Sequence, residues 1–405
     1  MSCDCYGDSA ELLQKAEKSL MYVTNRPDIV FVKGKGSYLW DSNSNKYLDM
    51  IAGWAVCCLG HSHEVMVDAL TNQAKLLINP SPSFYNVPAI EFADLLTKIS
   101  CMDKVFFINS GAEANEGAIK LARKYGQKHM NGAFEIITAW NSFHGRTLAM
   151  MAASGKKAWD NLYNPRPQGF AKVQYNDIES LKQAISENTC AVMLELVQGE
   201  GGVIVADKTY VKQVRKLCDE NNILLIIDEV QTGLGRLGHM FAYEYYEIEP
   251  DIMTLAKGIG GGFPLSALLA KDRVCCFEAG DQGGTYSMTP LATAVGKAVV
   301  EEIINSDLCN NAKKMGEYFT EQLYKLMEQY DIIKEVRGKG LLLAIGLHKE
   351  IANEIRDECL NNFLIINAPN TKTLRFMPAL NISRAEIDEA VSILSNVLDK
   401  ISKKS

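Results

Sequence analysis

Ile223-Leu-Leu-Ile-Ile-Asp228-Glu-Val-Gln231-Thr232 is a run of five apolar residues that ends on a carboxylate. Asp251-Ile-Met-Thr-Leu-Ala-Lys257-Gly-Ile-Gly-Gly-Gly-Phe263 repeats the pattern, with a lysine at the end of the run and a glycine-rich turn behind it. Short, continuous apolar runs bounded by turn residues read as strands buried on both faces. Val105–Ile108, Ile136–Ala139, Ala191–Leu194 and Ile252–Leu255 read the same way. Between them lie helical patterns. Ala112–Tyr125 places Ala114, Ala118, Leu121, Ala122 and Tyr125 on one face, and Tyr210–Asn221 is a second helix. Ser287–Ile304 and Asn311–Tyr330 predict two longer ones. Strands spaced by helices predict an α/β fold with a mainly parallel sheet covered on both faces.

The two ends read differently. Ile29–Leu48 resembles a small meander, with turn residues at Lys33–Gly36 and Asp41–Asn43. The last stretch alternates strand (Leu341–Leu347), helix (Glu350–Asn361), strand (Thr373–Phe376) and a closing helix (Arg384–Lys403). This predicts a large central domain at 51–305 and a smaller α/β domain built from 1–50 and 306–405. Nothing in the composition reads as a linker.

The 405 residues allow two or three domains or one large body. Apolar residues are 47% and charged residues 22%, which excludes a disordered chain or a fibre. A net charge of −7 argues against nucleic acid and anionic membranes as partners. No apolar run is long enough to cross a bilayer. Met1–Glu11 carries acids and no apolar core of a signal, so the expected location is cytoplasmic. Eleven cysteines, with adjacent pairs at Cys57–Cys58 and Cys275–Cys276, read as reduced, mostly buried thiols.

Several motifs lack the context their chemistry needs. Gly233-Leu-Gly-Arg-Leu-Gly238 has the dinucleotide spacing, but five residues separate it from its strand and no helix opens inside it. His61, His63 and Glu64 are too loosely placed to hold a metal, and so are Cys3-Asp4-Cys5; no metal is expected.

Four strand ends carry more. Ser110-Gly111-Ala112, between a strand and a helix, can bring backbone N–H groups to an anion. Ser142-Phe143-His-Gly-Arg146 offers an aromatic ring to stack and a guanidinium to clamp a carboxylate. Asp228 is a carboxylate that burial makes costly without a cation. Lys257 is an amine whose pKa partial desolvation would lower toward nucleophilicity. An anion cradle, a stacking ring, a buried acid and an imine-forming amine are together what pyridoxal phosphate requires.

The order of segments makes the resemblance specific. Asn109-Ser-Gly-Ala-Glu-Ala-Asn115, Ser142–Thr147, Glu195-Leu-Val-Gln-Gly-Glu-Gly-Gly202, Asp228–Gly233 and Ala256-Lys-Gly-Ile-Gly-Gly-Gly-Phe-Pro264 together resemble the class III (ω-amino) aminotransferases, and within them the acetylornithine aminotransferases. The likeness runs from Ile29 to Pro378. It implies the fold type I architecture, with a seven-stranded large-domain sheet, and pyridoxal 5'-phosphate as cofactor. Lys257 would be the Schiff-base lysine and proton carrier, and Asp228 the partner of the ring nitrogen. Gln231 would approach the phenolic oxygen, Phe143 would stack on the ring, and Glu195 would support this shell. Ser110, Gly111 and Ala112 would cradle the phosphate, with Thr285 reaching it from the second subunit of a homodimer. Arg146 would bind the acyl donor's carboxylate, and Arg375 the α-carboxylate of glutamate or 2-oxoglutarate. Glu200 would pair with Arg375 when the donor's amine occupies the site.

The chain departs from the family pattern near the substrate. Gly284 replaces a serine of the loop that meets the acyl donor, Leu196 stands for proline, Cys57-Cys58 for asparagines, and Trp54 lies where isoleucine or tyrosine is usual. The resemblance implies transfer of an ω-amino group from N-acetylornithine to 2-oxoglutarate in arginine biosynthesis, with N-succinyldiaminopimelate of lysine biosynthesis as a second donor. Ornithine or 4-aminobutyrate is the alternative donor. An aminomutase on the same fold would have little use for Arg375, and a non-catalytic relative would have lost Lys257 or Asp228.

Overall fold

The structure, a computed structural model, describes residues 9–403. Its centre is a seven-stranded sheet. In spatial order the strands are Lys104–Ile108, Ser266–Ala270, Ile252–Leu255, Leu224–Asp228, Thr189–Leu194, Glu135–Ala139 and Phe170–Val173. Ser266–Ala270 runs antiparallel to both neighbours; the other pairings are parallel.

The continuous apolar runs follow from burial on both faces. Successive side chains of a strand point to opposite sides. Leu224 and Ile226 pack into one core cluster with Ala114, Ala118 and Leu121 of the helix Gly111–His129. Leu225 and Ile227 pack into the other, which continues through Val299, Phe319 and Leu343 to Ile401. That second cluster joins the central sheet to the C-terminal part.

Capping sets where the helix Gly111–His129 begins. Ser110 and Glu113 form a reciprocal capping box, and Lys128 and His129 lie in the last turn, where positive charge opposes the helix dipole. Ser383 and Glu386 cap the closing helix Arg384–Ser402 in the same way. The two expected long helices are Pro290–Asn305 and Leu308–Gln329.

The ends of the chain meet. The meander Phe31–Lys35, Tyr38–Asp41 and Lys46–Asp49 is completed by Leu364–Ile365, parallel to its last strand with Leu48 opposite Leu364. A second sheet orders Ile333–Lys339, Leu342–Leu347, Thr373–Phe376 and Asn367–Asn370, all antiparallel. Among the strands of these sheets, Phe170–Val173, Ser266–Ala270, Ile333–Lys339, Leu364–Ile365 and Asn367–Asn370 are not legible from periodicity. Phe170–Val173 and Ile333–Lys339 carry charged residues, and Ser266-Ala-Leu-Leu-Ala270 could equally be a helical turn. Gly233–Gly238 is a series of turns, as read.

Among the described residues no helix is long and apolar enough to cross a membrane. The nine described cysteines are free thiols; four are buried, four half-buried, and Cys275 is exposed, so the thiols are less uniformly buried than expected. Cys3-Asp4-Cys5 lies outside the described residues.

Candidate active site

The strands Leu224–Asp228, Ile252–Leu255, Lys104–Ile108 and Glu135–Ala139 all deliver their following residues to one edge of the sheet. There they line a cavity of about 450 Å³, within the range of small-molecule sites. Ser110, Gly111, Ala112, Phe143, Arg146, Glu195, Glu200, Asp228, Gln231 and Lys257 all lie on its wall. Sequence segments up to 147 residues apart thus converge because parallel strands put their C-terminal ends on the same edge.

At the anion cradle, the capping box satisfies Ser110 and Glu113, while the first-turn amides of Gly111 and Ala112 have no intrahelical acceptor. The His144-Gly145-Arg146 loop lies directly against this turn. A side chain at Gly145, φ +139°, would put a carbon 2.7 Å from Ala112 Cβ, so the close approach requires glycine.

Asp228 is fixed from three sides. Its Oδ2 accepts from Asn115 Nδ2 and His144 Nδ1, each at 2.8 Å, and its Oδ1 accepts from Val230 N–H at 3.0 Å. Because an ionised carboxylate only accepts, the His144 proton is on Nδ1. Asn115 also donates to the His144 carbonyl at 2.8 Å, and its Oδ1 accepts from Thr254 at 2.7 Å. Asp228 therefore both caps the next turn and faces the cavity. His144, Asn115 and Thr254 are the residues that sequence reasoning did not assign. The first two sit inside quoted motifs; nothing in the sequence links Thr254 to Asn115.

Lys257 follows its strand in a left-handed conformation, φ +48°, which costs a non-glycine residue about 1–2 kcal/mol. Burial lowers its amine below the ordinary lysine range; the carboxylates of Glu200 and Asp228 oppose that, and Arg375 adds to it. A lowered pKa makes such an amine a readier proton carrier than an exposed lysine. The Gln231 amide nitrogen lies on the cavity wall, buried and without a hydrogen-bond partner.

Glu195 accepts the Phe143 N–H at 2.9 Å. Burial first, then the charge of Asp228, push its carboxyl well above the ordinary range, against the pull of the Phe143 amide and Lys257. A raised carboxyl stabilises the fold fully below its unfolded pKa of about 4.3 and loses that contribution as pH rises toward the folded value. Glu195→Gln, which keeps the acceptor and cannot ionise, should therefore melt increasingly above the parent as pH is raised from 5 to 8. A constant difference across thermal melts in that range would show that Glu195 does not titrate as its burial requires.

Arg375 is fully buried. Its Nε donates to Asn367 Oδ1 at 3.0 Å, and its Nη2 lies 2.7 Å from Glu200 Oε1. Nη1 has no partner. Burial works to raise the Glu200 carboxyl, but Arg375 first and Lys156 next outweigh it and hold it below the ordinary range. Glu200 stands at the tip of the hairpin Val197–Gln198 and Ile204–Val205. Gly199 beside it lets the Gln231 amide pack close, since a side-chain carbon there would fall on the Gln231 amide oxygen and displace it.

Four expected residues lie off this cavity wall: Arg375, which meets it through Glu200, and Trp54, Gly284 and Thr285. Trp54 is 51% exposed, on a turn of left-handed residues from Ala52 to Ala55, and Val56 lines the cavity instead. Gly284 and Thr285 are exposed on a loop off the wall, where Asn79 donates to the Thr285 carbonyl at 3.2 Å.

The chain matches the family model "Aminotransferase class-III" over residues 21–398. It is 54% identical to the acetylornithine aminotransferase of Ralstonia nicotianae over 388 residues, 94% of this chain and 97% of that one. Among solved structures, an ornithine aminotransferase from Toxoplasma gondii with partial occupancy of pyridoxal phosphate at its active site superposes with a TM-score of 0.94, at 30% identity over 98% of this chain and 95% of that one. An acetylornithine aminotransferase from Elizabethkingia anophelis gives 0.87, at 32% identity over 97% of this chain and all of that one. Fold and site together define a pyridoxal-phosphate enzyme of fold type I. The chain belongs to the class III aminotransferases.

The residues present fit that cofactor: unpaired amides for a phosphate, a fixed acid for a ring nitrogen, an unpaired amide at Gln231, and an amine with a lowered pKa. When bound, the group supplies an electron sink for the carbon that carries the amine.

Proposed function

We propose that the enzyme transfers the ω-amino group of N-acetylornithine to 2-oxoglutarate, giving N-acetylglutamate 5-semialdehyde and glutamate, in arginine biosynthesis. The observation that carries this reading is the Arg375–Glu200 pair beside Lys257. A site that serves both a terminal amine and an α-carboxylate needs a buried cation whose charge can be covered and uncovered. Arg375 is that cation and Glu200 the cover. The 54% identity to a protein named acetylornithine aminotransferase supports the choice of donor.

In this reading Lys257 would hold the cofactor and carry the proton. Asp228, kept in place by Asn115 and His144, would face the ring nitrogen. Gln231, Phe143 and Glu195 would surround the ring, the amides of Gly111 and Ala112 would take the phosphate after the Ser110 cap, and Arg146 would bind the donor's carboxylate. The substrate mouth would lie under Trp54 and Gly284.

The same reading makes the enzyme a homodimer with Thr285 serving the partner's site. Leu76 and Tyr85 are each at least 80% exposed, and with Leu77 and Val87 they line one apolar groove near the Thr285 loop. Apolar surface of this kind marks an interface. Full activity from a monomer in sedimentation would end this part of the reading. The division into 51–305 and a domain from 1–50 and 306–405 is supported by the strand Leu364–Ile365 completing the N-terminal meander. The expected location is the cytoplasm.

A donor panel with 2-oxoglutarate, read as glutamate formed, tests the substrate. N-acetylornithine should exceed ornithine and 4-aminobutyrate in kcat/KM by at least about tenfold, the scale of discrimination that a few contacts supply, with N-succinyldiaminopimelate next. Ornithine or 4-aminobutyrate in the lead would overturn the assignment.

A further inference from the structure

Lys156 is not part of any motif. It follows Gly155 after the short helix Leu148–Ala153, and its position is set by the main chain, where Gly155 N–H donates to the Ser142 carbonyl at 3.1 Å. Its ammonium lies 3.7 Å from Glu200 Oε2, while the other oxygen of the same carboxylate is 2.7 Å from Arg375. Glu200 thus stands between two cations. Lys156 is also 5.0 Å from the centre of the Phe143 ring and 5.3 Å from that of Trp159. Its side chain is 28% exposed, so little water offsets the loss of a carboxylate partner.

This arrangement answers a question that the Arg375–Glu200 pair leaves open. When glutamate or 2-oxoglutarate takes Arg375, the displaced carboxylate needs somewhere to go. Leaving it charged, half-buried and unpaired next to a second carboxylate would be costly. We propose that Lys156 is the second station of Glu200: it receives the carboxylate when the α-carboxylate of the acceptor substrate occupies Arg375, and so makes Arg375 available. Lys156 is a positioning residue that acts through Glu200. The hairpin tip that carries Glu200 is glycine-rich, with Gly199, Gly201 and Gly202 around it. Because one oxygen already faces each cation, the change requires rotation of the Glu200 side chain and no movement of the sheet.

The inference rests on the switching role of Glu200, and the test separates the two. Glutarate, which has both carboxylates and no reacting group, probes Arg375 by spectral titration of the holoenzyme. Single-turnover absorbance follows the N-acetylornithine and glutamate halves separately. Lys156→Met should weaken glutarate about tenfold and slow the glutamate half by a similar factor, while the donor half stays within about twofold; tenfold corresponds to about 1.4 kcal/mol. Lys156→Arg should restore both. Glu200→Ala should strengthen glutarate, and adding Lys156→Met to it should change nothing more. If Lys156→Met still weakens glutarate in the Glu200→Ala background, Lys156 meets the substrate directly and the station is overturned. Equal slowing of both halves by Lys156→Met, or a loss of donor affinity alone, overturns it too. Equal slowing of both halves by Glu200→Ala would overturn the switch itself; asymmetry there with none in Lys156→Met would overturn the station alone.

Discussion

Lys257→Ala should lower the rate of glutamate formation by more than about ten-thousandfold. Two losses combine. The substitution removes the amine that would hold the cofactor, and it removes the group placed to return a proton, an effect worth about 10²–10⁴ by itself. No second amine takes its place. Lys156 is the other lysine near the cavity, and it is held at Glu200 and the Phe143 ring. The fold should not suffer. Lys257 buries a desolvated amine, and alanine removes that cost while keeping the same left-handed backbone, so the melting temperature should equal or exceed the parent's. Borohydride reduction followed by intact mass should find cofactor attached to the parent and none on the variant. Steady-state rates near the parent's would mean that Lys257 is a structural lysine at a strand end.

Asp228→Asn should cost about a hundred- to a thousandfold in kcat, the size of effect seen when one group stabilising developing charge is removed. Its geometry leaves no neutral solution. The carboxylate accepts at both oxygens, from Asn115 and His144 on one and Val230 on the other. An amide has one acceptor, so either orientation turns an NH₂ toward a donor, at a cost of about 1–3 kcal/mol. The negative charge facing the cavity is lost as well. The variant should fold, with circular dichroism like the parent's, and should lose cofactor faster on dialysis. Rates within twofold of the parent's, with cofactor retained, would remove Asp228 from the role proposed for it.

The residues of these two experiments were legible for a local reason. Each ends an apolar run, and an apolar run that stops at a charge is a strand delivering that charge to a sheet edge. Ser110-Gly111-Ala112 was legible in the same way, since small residues between a strand and a helix mark a turn where backbone amides can meet an anion. Trp54 was a different case. Its position near the mouth came from resemblance, and the left-handed turn that exposes it is not written in Ile51-Ala-Gly-Trp-Ala-Val56. The antiparallel strand Ser266–Ala270 was hidden because direction is a property of the pairing, here with Val105–Phe107 and Met253–Leu255, and not of the strand's own composition.

By itself, then, the sequence determined many of the elements and the chemistry at their ends: buried strands from continuous apolar runs, helices from apolar spacing, an acid, an amine and an anion cradle in a recognisable order. The tertiary structure alone decided the pairings. Asp228 meets His144 84 positions away, and Arg375 meets Glu200 from a separate sheet. Glu200 faces Lys156 from a hairpin that no periodicity marks. Apolar burial is patterned along the chain, because each element must bury its own face, and so it can be read locally. A buried charge is satisfied by whichever group the fold brings within 3–4 Å, and that partner is set by how sheets and loops pack.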